Sequence, residues 1–427
     1  MKRSTGNFER TLVTGALMIQ GVLGNAQSGA SKNASSNEAI RPFDKVHFPE
    51  EKLKDLKRRI LATNWPEKEP VNDQSQGVPL ATMKAVAHYW ATEYDWRKME
   101  AKLNALPQFV TEIDGLDIHF IHVRSKHPNA APLIVTHGWP GSILEQLKII
   151  GPLTDPTAYG GKAEDAFDVV IPSMPGYGFS GKPSTTGWDP SHIARAWVVL
   201  MQRLGYGKFF AQGGDWGGLI TDLMAVQSPD HILGMHTNFP IAVPAALDKG
   251  ASSGAAAPSE LSPEERHAYD QLSFSYKHVY YAYYMASRPQ TLLGLSDSPI
   301  GLATFLLDHD QPSLALISRT FAGKPEGLSK DDVLDNVTLF WLTNTAISSA
   351  RLYLENKYGF FSPLGVTVPV AVSAFPDELY QVPRNWAEKA YPNLVFYKKH
   401  NKGGHFAAWE QPELLVNDIR EGFKSLR

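Results

Sequence analysis

Lys208-Phe209-Phe210-Ala211-Gln212-Gly213-Gly214-Asp215-Trp216-Gly217-Gly218 reads as a strand, a sharp turn and the start of a helix. The apolar run has strand length, four glycines flank one acid and one tryptophan, and an amphipathic stretch from Leu219 to Val226 follows. In a nucleophile elbow the apex residue has strained dihedrals and tiny neighbours, so that it projects above the sheet edge at a helix N-terminus. Asp215 occupies that apex, where the helix N-terminus favours its anion. The alternative is an Asp that merely caps the helix starting near Trp216.

Other segments repeat the pattern. Leu133 to Thr136 is a fully apolar strand running into His137-Gly138-Trp139-Pro140-Gly141, and Phe167 to Ile171 runs into the glycine-rich turn Pro172 to Ser180. Helices are expected over Ile143 to Ile150 and from Asp189-Pro190 to Gly205, and further strands over Ile232 to Phe239, Val366 to Ala374 and Leu394 to Tyr397, with a closing helix over Pro412 to Phe423. Short apolar strands alternating with helices predict an α/β fold, a mostly parallel sheet covered on both faces. Such sheets place their ligands at the carboxyl ends of the strands.

Before this core, a helix over Glu50 to Ala62 closes at Asn64-Trp65-Pro66, and Thr82 to Leu103 reads as one or two more helices. Gln108 to Ile113 and Leu116 to Val123 form a hairpin through Asp114-Gly115. Strand parity places His119 on the outer face and His122 in a buried, hydrogen-bonded position. Between Ile232 to Phe239 and Val366 the pattern turns helical after a small-residue loop, Gly250 to Pro258, with Ser262-Pro263-Glu264-Glu265 as a helix start. The simplest account is a helical lid over residues 242–361, rich in aromatics such as Phe274, Tyr276, Tyr280, Tyr281, Tyr283 and Tyr284, and lying over the sheet's carboxyl edge. The chain then divides into a leader (27–40), an N-terminal extension (41–106), core (107–241), lid (242–361) and core (362–427).

The first 26 residues read as an export signal. Lys2, Arg3 and Arg10 precede an apolar stretch from Thr11 to Gly24, and Gly24 and Ala26 are small residues of the kind an export peptidase reads. The stretch is short and broken by Gly15, Gln20 and Gly21, unlike a membrane span. The expectation is an exported, periplasmic or secreted protein with no integral span in its mature part. A chain of 427 residues, 43% hydrophobic, can bury a large core. Its net charge of −3, from 41 basic and 44 acidic residues without long blocks, offers no nucleic-acid footprint. Cysteine is absent, which removes disulfides and thiolate chemistry. No ligand cluster for a metal, dinucleotide fingerprint or phosphate loop is found, so neither metal nor cofactor is expected.

With Asp215 as nucleophile, chain order predicts an acid after a later strand and a histidine near the C-terminus. Asp377 and Glu378 follow the strand ending near Phe375, and His405 lies in the glycine-flanked loop Lys402-Gly403-Gly404-His405-Phe406. His137 is read as a loop brace and His400 as a surface residue.

From about Pro42 to Phe423 the chain resembles the epoxide hydrolases of the alpha/beta-hydrolase superfamily, in particular the microsomal-type branch. The resemblance rests on the N-terminal segment ending in Asn64-Trp65-Pro66, on His137-Gly138-Trp139-Pro140, on Gly213-Gly214-Asp215-Trp216-Gly217 and on Gly403-Gly404-His405-Phe406-Ala407-Ala408. It implies Asp215 as nucleophile, His405 as base and Glu378 as the orienting acid, with Asp377 as runner-up. Two lid tyrosines are implied as ring-opening acids. Arg288-Pro289-Gln290-Thr291 selects Tyr281, and Arg351-Leu352-Tyr353-Leu354-Glu355-Asn356 selects Tyr353. Backbone N–H groups of Trp139 and Trp216 are implied as oxyanion donors. The substrates would be a small apolar epoxide and water, with a role in detoxification or aromatic hydrocarbon catabolism and cis-stilbene oxide as a model compound; a homodimer is compatible. A haloalkane dehalogenase, which also uses an elbow aspartate followed by tryptophan, and a non-catalytic small-molecule-binding protein on the same scaffold are the rival readings.

Overall fold

The computed structural model describes residues 38–427, so the export signal and nearly all of the leader lie outside the described residues. Among the described residues a nine-stranded sheet is the organising element. Its strands are β1 (Arg41–Pro42), β2 (Gln108–Ile113), β3 (Leu116–Val123), β4 (Ala131–Thr136), β5 (Phe167–Pro172), β6 (Phe209–Gly213), β7 (Ile232–Thr237), β8 (Val370–Ala374) and β9 (Leu394–Lys399). Their order is β1-β2-β3-β5-β4-β6-β7-β8-β9. β5 to β9 and β4 run parallel, and the first three strands are antiparallel. The carboxyl ends of β4, β6 and β8 therefore meet on one edge, and each feeds a loop that carries a candidate group. β6 and β8 are buried at every position, which is why their sequences are mostly apolar or small instead of alternating, with Gln212 of β6 donating to Asn238 Oδ1 at 3.0 Å.

The hairpin between β2 and β3 pairs Ile113 with Leu116 and turns through Asp114 and Gly115, both at positive φ (50° and 77°), the geometry of a two-residue type I′ turn. His119 does not face outward. It is fully buried, with Nδ1 at 3.0 Å from Ser173 Oγ and Nε2 at 3.1 Å from Gln108 Oε1. Phe43 and Phe179 pack against its ring. Alternation along one strand cannot reveal that a chain segment from elsewhere covers the second face. His122, as expected, is buried and bonded to Tyr206 Oη at 3.0 Å.

The extension forms helices Glu50–Leu61, Leu80–Thr92 and Trp96–Asn104, the first with acidic residues in its opening turn and Arg58 and Arg59 in its last. They are anchored to the lid. Trp90 Nε1 donates to Thr338 Oγ1 at 3.0 Å, Tyr94 Oη to Asp335 Oδ1 at 2.8 Å, and Arg59 Nη1 to the Asp297 backbone carbonyl at 2.9 Å. In the lid the Ser262 capping box forms as expected, and the helix Ala245–Ser252 runs into the small-residue stretch read as a loop. Strand β8 starts at Val370, later than Val366, because Pro369 cannot donate to a ladder. No described helix is long and apolar enough to cross a membrane.

Candidate active site

The elbow has the strained geometry its sequence requires. Asp215 sits at φ 51° and ψ −128°, a conformation that costs a non-glycine residue roughly 1–3 kcal/mol. The helix Trp216–Gln227 begins at the next residue. Glycine at 217 is a packing requirement, since a Cβ there would fall on the Thr136 carbonyl at the end of β4. At Gly138 an added Cβ would fall on Asp215 Oδ1. The loop after β4 can therefore close over the carboxylate, and the Trp139 backbone N–H donates to Asp215 Oδ1 at 2.7 Å. The Trp216 N–H opens the helix directly after Asp215, and the Trp139 N–H reaches the same carboxylate from the loop after β4.

His405 lies across from the carboxylate, with Nε2 3.8 Å from Asp215 Oδ2. Its Nδ1–H donates to Glu378 Oε1 at 2.6 Å. Glu378 Oε1 also accepts from Leu379 N at 2.8 Å, which fixes the carboxylate's rotation. The ambiguity between neighbouring acids is thereby resolved in geometry. Asp377 pairs through its backbone with Gly404, bringing the two loops together, and it lines a cleft of about 490 Å³ with Lys402, Gly403 and Gln411 on the outer side of the His405 loop. That cleft is not the reaction site, since neither Asp215 nor either candidate tyrosine lines it. Burial works against a charged His405 ring, but the Glu378 carboxylate, with Asp215 and Asp310 adding to it, raises the imidazole to about 10.

The lid closes the site with aromatics. On the helix Tyr280–Ser287, Tyr280, Tyr283 and Tyr284 are 67%, 54% and 53% exposed, whereas Tyr281 is 8% exposed and points inward. Tyr281 stacks on Trp139 with ring centroids 4.8 Å apart. Tyr353, from the helix Ala346–Glu355, meets Trp216 edge to face at 4.7 Å and lies 6.2 Å from the Tyr281 ring. Burial first, and then the Asp215 charge, hold the Tyr281 phenol well above its ordinary value; burial, Tyr281 and Asp215 do the same for Tyr353. Both phenols remain protonated donors at neutral pH.

His137 braces its loop as expected, with Nδ1 bonded to the Gly138 carbonyl at 3.0 Å and Nε2 accepting from Met174 N at 3.3 Å. His400 is no surface residue. It is buried, stacked on Phe375 at 4.6 Å, and bonded through Nε2 to Asp418 Oδ2 at 2.5 Å. Asp418 comes from the closing helix, a partner that sequence spacing could not identify. Sequence reasoning also missed three buried groups near the triad. Glu145 is raised by burial to about 8 and Glu410 to about 7. The third is His309, whose ring lies 4.3 Å from that of His405. Asp215, His309 and His405 bring one donor atom each within 4.8 Å of one another, a cluster that the sequence did not show because the three come from three distant loops.

The family described as "Epoxide hydrolase N terminus" matches residues 40–146, and the alpha/beta hydrolase fold family matches residues 131–268. A putative epoxide hydrolase of Stigmatella aurantiaca is 49% identical over 91% of this chain and 86% of its own length. Epoxide hydrolase 1 of Oryctolagus cuniculus is 37% identical, over 90% of this chain and 88% of its own. Among solved structures, the juvenile hormone epoxide hydrolase of the silkworm Bombyx mori superposes with a TM-score of 0.80 at 31% identity, covering 91% of this chain and 95% of that one. The Aspergillus niger epoxide hydrolase superposes with a TM-score of 0.76 at 30% identity, covering 92% and 98%. An elbow aspartate facing a Glu-held histidine under two inward tyrosines, on this fold and with these relatives, places the chain in the epoxide hydrolase family.

Proposed function

We propose that the chain hydrolyses an apolar epoxide to its vicinal diol in two steps, through an ester on Asp215, with Tyr281 and Tyr353 as ring-opening acids, His405 as base and Glu378 as its orienting acid. The observation that carries this reading is the 3.8 Å approach of His405 Nε2 to Asp215 Oδ2 beside the buried Tyr281 and the partly buried Tyr353. In the first step an Asp215 oxygen attacks a ring carbon, the C–O bond breaks, and the nascent alkoxide takes a proton from a phenol. The proton count closes around His405. At rest Asp215 is the anionic nucleophile and the imidazole, raised to about 10, is protonated. Alkylation neutralises Asp215 and so removes one of the charges that hold the imidazole's proton. That proton restores the phenol, leaving a neutral ester beside a neutral base.

In the second step His405 deprotonates water, which attacks the ester carbonyl while the Trp139 N–H, with that of Trp216, stabilises the oxyanion. A serine at the elbow would give an ether that this chemistry cannot cleave. The aromatic lid favours an aryl epoxide, with cis-stilbene oxide as the model compound, and suits a detoxifying or aromatic-catabolic role. Export is supported by the basic start and short apolar stretch before Gly24 and Ala26. N-terminal sequencing of the protein from its host should find a start near Gln27, and an intact Met1 would rule out cleavage.

The deciding experiment is mass spectrometry on His405→Gln. Quenched after mixing with the epoxide, the variant should carry one substrate mass on the Asp215 peptide. Wild type in a single turnover in oxygen-18 water should release diol with oxygen-16 from the carboxylate. Heavy oxygen in the first-turnover diol would show direct attack by water. Halide release from a haloalkane without epoxide turnover would mark a dehalogenase, and binding without turnover or adduct a binding protein.

A further inference from the structure

His309 lies between the lid helices Pro299–Leu307 and Gln311–Phe321 and is 2% exposed. Its Nδ1–H donates to Asp310 Oδ2 at 2.8 Å. The other oxygen of Asp310 accepts from Ser313 N at 2.8 Å and caps the following helix, so the carboxylate that aims the ring is itself held in place. Nε2 is buried without a protein partner. A polar atom left so in a site is unfavourable unless something binds to it. The ring packs on Tyr281 with centroids 5.1 Å apart as well as on His405. One ring nitrogen of His309, one of His405 and one oxygen of Asp215 surround the same small space, each within 4.8 Å of the others.

We propose that His309, aimed by Asp310, is a second imidazole of the reaction site, which positions the hydrolytic water for attack on the Asp215 ester. This rests on the roles of Asp215 and His405 proposed above. With Nδ1–H engaged by Asp310, the ring in its neutral form presents the lone pair of Nε2. A water bound to His405 alone can rotate about its single O–H···N axis. Donating its second O–H to His309 Nε2 stops that rotation and leaves the oxygen lone pairs free for the ester carbon.

The balance of the step is complete. Water oxygen bonds to Cγ of Asp215 as its first proton passes to His405 Nε2 and the carbonyl electron pair moves to the oxygen facing Trp139 N. Collapse breaks the bond from Cγ to the alkyl oxygen, and His405 returns the proton to the departing alkoxide, giving the diol. The second water proton, directed at His309 until then, stays on the Asp215 carboxyl and passes to His405, restoring the anion and imidazolium of the resting site. His309 takes no proton itself.

The test is a rapid-quench single turnover of the full chain with cis-stilbene oxide, following the Asp215 adduct and the diol separately. His309→Leu keeps the volume and removes the acceptor, so alkylation should stay within about twofold while hydrolysis slows on the order of 10–100-fold. His309→Gln restores an acceptor oxygen and should recover part of the hydrolysis rate, which a purely packing role would not explain. Asp310→Asn retains the helix cap, because Asn caps as well as Asp, and should show the same defect confined to hydrolysis. If circular dichroism shows His309→Leu unfolded, Asp310→Asn decides alone. Equal slowing of both steps, or no slowing of hydrolysis, would overturn the proposal. So would activity that a chelator abolishes and zinc restores, since the three atoms would then be metal ligands. Absence of adduct in both His309→Leu and His405→Gln would refute instead the role of Asp215 as nucleophile.

Discussion

Replacing Glu378 by Gln removes one charge from the buried pair with His405 while preserving its shape. The oxygen that is lost as a carboxylate lies 2.6 Å from Nδ1, and both side chains are 2% exposed. With charge centres about 4 Å apart and an effective dielectric constant of about 20, the pair is worth about 4 kcal/mol, or about three pKa units of preference for imidazolium. That agrees in size with the rise of His405 from 6.5 to about 10 against burial. In Glu378→Gln the imidazole should therefore fall most of the way back to its ordinary value, because burial then acts against only the charges of Asp215 and Asp310. An amide can also accept from Nδ1–H or donate to a bare Nδ1, so the tautomer with an Nε2 lone pair is no longer enforced. Alkylation needs only Asp215 and the phenols, and should change little. Hydrolysis needs an oriented base and should slow by about 10³–10⁴-fold, the scale seen when the acid of a catalytic triad is amidated. Stopped-flow tryptophan fluorescence should show formation of the ester intermediate, as Trp139 and Trp216 line the site, and rapid quench should show the adduct persisting. Alkylation slowed as much as hydrolysis, or a defect reproduced by Asp377→Asn and absent from Glu378→Gln, would refute this role for Glu378.

Tyr281→Phe and Tyr353→Phe should each slow alkylation by about 10–100-fold and leave hydrolysis of preformed ester nearly unchanged, with the double variant almost inactive in ring opening; slowing of hydrolysis alone in a single-turnover assay would contradict both assignments. His405 carries a stability signature whose sign follows from its raised folded value: the contribution is fully present below the unfolded value of about 6.5 and is lost as pH rises towards about 10. Urea unfolding of wild type and His405→Gln should thus show a stability difference of a few kcal/mol near pH 6 that shrinks by pH 10, and a difference that grew with pH would have the wrong sign. Tyr94→Phe leaves buried Asp335, already raised by burial to about 7, without its phenol donor. It should cost about 1–3 kcal/mol, seen as a lower Tm, and an unchanged Tm would mean that this anchor between the extension and the lid contributes nothing.

The parts of this protein that depend on local chemistry were legible in the chain itself. Gly213 to Gly218 around Asp215 specify a strained turn because larger side chains would collide there, and Asp114-Gly115 specify a hairpin because both residues tolerate positive φ. The mostly apolar runs of β6 and β8 report burial on two faces, and chain order after an elbow leaves few candidates for acid and base. Resemblance supplied the two tyrosines and the preference for Glu378, which spacing had left open. The tertiary structure decided what depends on contacts between distant segments. Glu378 rather than Asp377 reaches His405 because Asp377 is turned outward by its pairing with Gly404. Tyr281 rather than its three exposed neighbours faces inward because the rotation of one short helix is set by packing against Trp139, whose backbone N–H bonds to Asp215. His119 and His400 are interior because a covering segment and a closing helix bring Phe179 and Asp418 to them. His309 carries no motif that sequence reasoning could use, since its nearness to His405 arises only when the lid folds over the sheet edge, bringing together residues nearly 100 positions apart.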